Sequence, residues 1–189
     1  MDWSSIVIKA PVTVESLRSL VSGQQVLIDG PVFVARDQAH RRLVELIKSG
    51  RPLPFEPAGQ IIYYMGPSPA PPGQVIGAAG PTTSGRMDSF TEPLLARGIR
   101  VLVGKGRRSA EVKAAMRKNG AVYLAAVGGA GAVYSQHVSA VETLAWPDLG
   151  PEALLSLTVS RFPAVVINDL AGNDLYDSGP TAWRVKSKK

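Results

Sequence analysis

Gly80-Pro81-Thr82-Thr83-Ser84-Gly85-Arg86-Met87-Asp88 packs a glycine–proline turn, three adjacent hydroxyls, a second glycine and an arginine into nine residues. The preceding Gly73-Gln74-Val75-Ile76-Gly77-Ala78-Ala79 reads as a strand, and Met87, Phe90 and Leu94 follow at helical spacing. The hydroxyls therefore fall at a strand-to-helix turn, the hallmark of an α/β arrangement. Unpaired backbone N–H groups gather at such a turn, and the helix dipole favours an anion there. Arg86 adds a planar fork suited to bidentate pairing with a carboxylate or phosphate. The plainer reading of the same residues is a helix N-cap, with a hydroxyl accepting from the N2 or N3 amide and Arg86 solvated. Local chemistry favours the cap; the rest of the chain shifts the balance.

Upstream of the turn, residues 6–8 suggest a first strand and residues 14–20 a short helix. Residues 25–35 alternate and are rich in valine and isoleucine, with Asp29-Gly30-Pro31 as a turn or bulge. Asp37 is placed to cap a helix burying Leu43, Val44 and Ile47 and closing near Gly50. Residues 61–65 read as a strand between two proline-rich loops. Downstream, Pro93 disturbs the helix after the turn, which can restart with Thr91 as cap. Residues 100–103 form a short strand ending at Gly104-Lys105-Gly106, Ser109 caps a helix to about Asn119, and residues 122–126 form another strand. Residues 157–159 and 163–167 give two late strands, with a turn at Gly172-Asn173. Strands alternate with helices, yet hairpin-like runs at both ends predict a mixed sheet in a single α/β domain. The domain is expected over residues 1–180, with residues 181–189 a basic tail carrying Lys186, Lys188 and Lys189.

Three basic residues each sit at a strand's end beside a glycine or a helix start: Arg36, Arg86 and Lys105. In an α/β sheet such positions converge on one edge, where ligands tend to bind. Three cations with several hydroxyls suit a small di-acid, each carboxylate taking a cation and the hydroxyls fixing orientation. The alternative is local pairing, Arg36 with Asp37 and Arg86 with Asp88. His40, on the first turn after Arg36-Asp37, either reaches the ligand edge or packs against the helix. His137 lies in apolar surroundings and reads as structural. Gly128-Gly129-Ala130-Gly131-Ala132 lacks the spacing of a dinucleotide turn and predicts a tight turn with close helix packing.

Composition excludes several classes. The chain of 189 residues has 45% hydrophobic and 19% charged residues, a globular balance. It contains no cysteine, so it supplies no disulfide, no thiolate-held zinc and no thiolate ligand to an iron–sulfur cluster. The net charge of +6 comes from scattered basic residues, and aromatics make up 6%, so no nucleic-acid stacking surface is evident. Met1-Asp2-Trp3-Ser4-Ser5 lacks the features of a signal peptide, which leaves the cytoplasm as the expected compartment. The long uncharged stretch 119–141 is interrupted by Gly120, Gly128, Gly129 and Gly131 and reads as a strand, a glycine turn and a small-residue helix, not a bilayer span.

Together these segments resemble the β subunit, or C-terminal domain, of the class I iron–sulfur fumarate hydratases and L-tartrate dehydratases. The resemblance covers nearly the whole chain. It rests on Gly30, Val34-Ala35-Arg36-Asp37-Gln38-Ala39-His40, the turn from Gly80 to Phe90, and Gly104-Lys105-Gly106. Gly128-Gly129-Ala130, Asp148-Leu149-Gly150-Pro151-Glu152-Ala153 and Phe162-Pro163-Ala164 add to it, in order. It implies a swivelling β/β/α domain similar to the mobile domain of aconitase. It also implies a reversible hydro-lyase in which one iron of a [4Fe–4S] cluster binds the substrate's hydroxyl and carboxylate as a Lewis acid. In split members of the family the cluster belongs to a separate cysteine-bearing α subunit, which agrees with the missing cysteines and implies a hetero-oligomer. By position, Arg36, Thr83, Arg86 and Lys105 would hold a dicarboxylate substrate, and Thr82 would be the base at the carbon. Asp37 and His40 match family positions without a defined role. Gly85 and Asp88 resemble the fumarases more than the tartrate enzymes, which implies fumarate and malate as substrates. A different hydroxy-diacid, or an anion-binding module without catalysis, are the alternatives.

Overall fold

Val26, Ile28, Val32 and Val34 recur at even spacing along β2 (Gln25–Val34), and Leu155, Leu157 and Val159, then Phe162, Ala164 and Val166, do the same along β7 (Leu154–Asn168). A two-residue period puts each set on one face of its strand. The two strands pair antiparallel from Gln25–Val165 to Val34–Leu155 and form the spine of the sheet. The remaining strands are β1 (Ile6–Lys9), β3 (Ile61–Tyr63), β4 (Val101–Gly104), β5 (Val122–Ala125) and β6 (Val138–Ala145). In the computed structural model, which describes residues 6–184, the strand order is β1-β2-β3-β4-β5-β7-β6. The further β2–β7 pairing closes β2, β3, β4, β5 and β7 into a barrel-like ring. Strands β1 to β5 pair in parallel, whereas β7 runs antiparallel to β2, β5 and β6, so the sheet is mixed, as expected. The readings of residues 1–5 and of Lys186, Lys188 and Lys189 lie outside the described residues.

Parallel neighbours need crossovers, and helices supply them. Helices α2 (Asp37–Lys48), α3 (Asp88–Ala96) and α4 (Ala110–Asn119) lie on the outer face of the ring. Their Leu43, Leu94, Leu95, Val112 and Met116 pack in one core with Ile62, Leu102 and Tyr123 of the strands and with Tyr64 just past β3. The alternate residues Ile61, Tyr63, Val101, Val103, Val122 and Leu124 point inward and fill the ring. Short helices α1 (Val14–Leu17) and α5 (Gly131–Ser135) and the C-terminal α6 (Leu175–Trp183) complete the fold. Among the described residues, no helix is long and apolar enough to cross a membrane.

Four expectations are corrected. Gly73–Ala79 is an irregular loop, not a strand. Gly73 is left-handed (φ 76°), and the Ala78 amide and carbonyl are tied to Ser68, so the segment folds back on its own loop. The strand that delivers the chain to the hydroxyl turn is β3 instead. The two late strands are one: β7 runs unbroken through a bulge at Ser160 and Arg161 opposite Asp29. Arg161 is left-handed there (φ 48°), and its amide donates to Asp29 Oδ1 at 2.6 Å. Helix α3 continues through Pro93 without restarting, and the Thr91 hydroxyl donates to Met87 O at 2.8 Å within it. Finally, Arg36 and not Asp37 occupies the N-cap position of α2, leaving Asp37 on its first helical residue.

Candidate functional site

The C-terminal ends of the parallel strands share one rim, the edge at which α/β sheets bind ligands. The chain leaves β3 through Tyr64 and Met65, loops out, and returns through Pro81, which bridges back to Met65. Thr82 N then donates to Tyr64 O at 2.7 Å, Lys105 N to Thr82 O at 3.3 Å, and Ser84 N to Lys105 O at 2.8 Å. The hydroxyl turn is thereby laid like a short extra strand against Lys105, which follows β4. A 3-10 turn, Ser84–Met87, carries the chain into α3. Close approach makes this seam possible: a Cβ on Gly104 would lie 2.1 Å from Ser84 Oγ. On the neighbouring side, Ala79 N donates to the carbonyl of Gly131, whose Cα position abuts Gly80. That is the tight helix packing expected of the glycine turn.

The hydroxyls are not spent on capping. Thr83 stands at the N-cap of the 3-10 turn but makes no side-chain cap bond, and neither Thr82 nor Thr83 has a side-chain hydrogen bond among the described residues. Ser84, by contrast, is fully buried and its hydroxyl lies 2.9 Å from Tyr123 Oη.

The two arginines are held by acids, though not by those the local pairing would choose. Arg86 Nε and Nη2 donate to the two carboxylate oxygens of Asp37 at 3.1 and 2.8 Å. That bidentate pair uses one edge of the guanidinium; Nη1 has no hydrogen bond among the described residues, and the side chain is about half exposed. Arg36 Nη2 lies 3.5 Å from Glu152 Oε1, while Glu152 Oε2 accepts from Gln38 N at 3.0 Å. Arg36 also lies flat on Gly66, where a Cβ would come within 2.3 Å of Nη1. Lys105 stretches beside Gly128, whose Cβ would be 3.6 Å from Nζ, and has no ion pair among the described residues. Thr82, Thr83, Arg86 and Lys105 are thus joined in one seam, with Arg36 and Asp37 on the same rim.

His40 is not on the open surface. It is fully buried, Nδ1 donates to Arg36 O at 2.9 Å, and burial lowers its pKa to about 4, so the ring is neutral. Its ring packs edge-on to Tyr64. His137 bonds through Nδ1 to Ser160 O at 3.0 Å beside Phe162.

Beneath the turn lies a charge among the scattered basic residues that the sequence does not single out. The Arg108 side chain is fully buried. Nε donates to Asp88 Oδ1 at 2.8 Å, Nη1 to Tyr64 Oη at 3.1 Å and Nη2 to Thr91 Oγ1 at 2.7 Å. Its Cζ stands 5.1 and 5.4 Å from the ring centroids of Tyr64 and Tyr123. Burial works against this charge, but the Tyr64 hydroxyl and the Asp88 carboxylate more than offset it. Asp88 Oδ2 also accepts from Ser109 N at 2.8 Å, so Asp88 serves Arg108 and the start of α4, not Arg86. Glu152 and Arg108 are therefore the main residues missed from sequence. Their one local signal is polar character next to a strand end and a helix cap.

Three cations, two flanking acids and two unengaged hydroxyls form a rim suited to an anion with two carboxylates. The residues do not suit an iron–sulfur cluster: the sequence has no thiolate, and no group of three or more His, Asp or Glu among the described residues is arranged to hold a metal ion. The pattern of the fumarase C-terminus family matches residues 2–179. The chain belongs to that family. Among relatives of this fumarase C-terminal domain, the anaerobic class I fumarate hydratase of Escherichia coli is 41% identical over 151 residues, covering 79% of this chain and 28% of its own length. Fumarate hydratase 2 of Leishmania major is 40% identical over 156 residues, again 28% of its length. The chain thus spans little more than a quarter of these fumarate hydratases. A protein named as a putative L(+)-tartrate dehydratase subunit beta, from Methanocaldococcus jannaschii, is 36% identical over 171 residues and is covered over 88% of its length.

Proposed function

We propose that this fumarase C-terminal domain is the di-acid-binding β subunit of a hydro-lyase that interconverts fumarate and (S)-malate, and that a cysteine-bearing α subunit holds the [4Fe–4S] cluster. The observation that supports it most is the seam in which Thr82, Thr83, Arg86 and Lys105 meet, with Arg36 on the same rim. In this reading the Nη1 group of Arg86, which Asp37 does not use, takes one carboxylate, and Lys105 and Arg36 take up the remaining negative charge. Thr83 orients the substrate. Thr82 takes the proton from the carbon beside a carboxylate. Removing that proton turns the adjacent carboxylate into an aci-carboxylate dianion, one charge more than the substrate carried, which closely placed cations stabilise more than the ground state. A threonine hydroxyl is a weak base in water; neighbouring cations favour its alkoxide and bring it into range.

The choice of fumarate rests on Gly85 before Arg86 and Asp88 after Met87, which resemble the fumarases. Asp88 bonds Arg108 and Ser109, so it would act on the pocket through the shape of the turn. A second reading, a tartrate dehydratase β subunit, is favoured by the 36% identity that extends over 88% of the Methanocaldococcus protein. A site built around one hydroxyl discriminates against a substrate whose extra polar group has no partner. With the assembled complex under anaerobic conditions, kcat/KM for malate and fumarate should exceed that for L-tartrate by at least about a hundredfold. The reverse preference would replace the fumarase reading with the tartrate one.

A further inference from the structure

Tyr123 sits on β5 with its side chain fully buried, at no point open to a ligand. Its hydroxyl nevertheless touches both segments that form the site. It donates to Gly106 O at 2.9 Å, immediately after Lys105, and lies 2.9 Å from Ser84 Oγ, two residues from Arg86. With the phenol proton committed to Gly106, the Ser84 hydroxyl is the donor in the second bond. Ser84 in turn occupies the space above Gly104 that any side chain there would fill. The Arg108 guanidinium packs against the Tyr123 ring and holds it in place.

Resting on the reading of the rim as a di-acid site, we infer that Tyr123 is a positioning residue: its hydroxyl pins the Thr82–Arg86 turn to the Lys105 loop and so sets the spacing between the groups that grip the two ends of the substrate. The ladder bonds between Thr82, Ser84 and Lys105 fix register along the seam, but they are backbone bonds alone, and Thr82 and Lys105 are only half-buried. The Ser84–Tyr123–Gly106 bridge anchors the seam to the buried strand below. Burial pushes the phenol pKa up, so the bridge keeps its proton across the working pH range. Misplacing a substrate-gripping group by about 1 Å can cost a hundredfold in rate, so a small relaxation here is visible in catalysis.

The test is Tyr123→Phe, which keeps the ring under Arg108 and removes only the hydroxyl, alongside Ser84→Ala and the double variant. In the assembled enzyme with malate, Tyr123→Phe should lower kcat/KM by about tenfold to a hundredfold, with a raised KM. The double variant should fall little further than Tyr123→Phe, because both changes cut the same bridge. In the full chain, amide hydrogen exchange at Ser84 and Lys105 should speed up in Tyr123→Phe while the β4 and β5 core amides stay protected. Unchanged exchange at those two amides, unchanged kcat/KM, or fully additive losses in the double variant would each overturn the inference. Should the wild-type complex turn over neither malate, fumarate nor tartrate, the proposed function falls; the exchange comparison then decides the pin by itself.

Discussion

Thr82→Val is expected to lower kcat of the assembled enzyme by about 10²–10⁴-fold, the span typical of a group that moves a proton in the transition state. Substrate affinity should change little. The fold of the turn does not depend on the hydroxyl, because Thr82 is anchored by its backbone, through its amide to Tyr64 O and its carbonyl to Lys105 N. Valine keeps the branched shape. In the proposed reading Arg86 and Lys105 still bind the di-acid, so ground-state binding should survive while the step that needs a base should not. Steady-state kinetics under anaerobic conditions, paired with equilibrium binding of malate, separate the two. A loss confined to affinity would make Thr82 a substrate ligand and leave the base unassigned.

Arg108→Met should destabilise the chain by about 3–5 kcal/mol, the range for breaking a buried ion pair by removing one partner. Methionine matches the length of the stem but leaves the Tyr64 hydroxyl, the Thr91 hydroxyl and one oxygen of Asp88 without their donor. Asp88 keeps its bond from Ser109 N and is 19% exposed, which moderates the loss without removing it. Arg108→Lys should be intermediate, since an ammonium cannot reach three partners arranged around a planar fork. Urea unfolding of the full chain reads both. A loss below about 1 kcal/mol for Arg108→Met, the scale of a surface pair, would show that the network contributes little to the fold.

The parts of the fold legible in the sequence are those with local causes. Alternating valine and isoleucine in β2, the Ser109 cap on α4 and the glycine turn before α5 follow from side-chain period, hydroxyl capping and close backbone approach. Where a tertiary contact overrides local pattern, the reading fails. Val75 and Ile76 look like strand residues, but the loop around them is closed by Ser68 and Tyr63 Oη, which donates to Ala79 O at 2.6 Å. Arg161 interrupts the alternation of β7, so one bulged strand reads as two. β6 escaped notice because it pairs with β7 alone, on the outer edge of the sheet, and buries Val138 but little else. The site divides the same way. Arg36, Arg86 and Lys105 are visible because each follows a strand or opens a helix. The pairings of the two arginines are not, because Asp37 lies 49 residues from Arg86 and Glu152 lies far along the chain from Arg36.

The central claim, that this chain supplies the di-acid grip and leaves the cluster to a partner, is tested most directly by assaying fumarate hydration with and without the cysteine-bearing α subunit. The purified chain alone should show no turnover and bind no iron, since it offers no thiolate. Adding the partner under anaerobic conditions should restore hydration of fumarate to malate, and exposure to air should abolish it again. Turnover by the purified chain with no partner present would contradict the account.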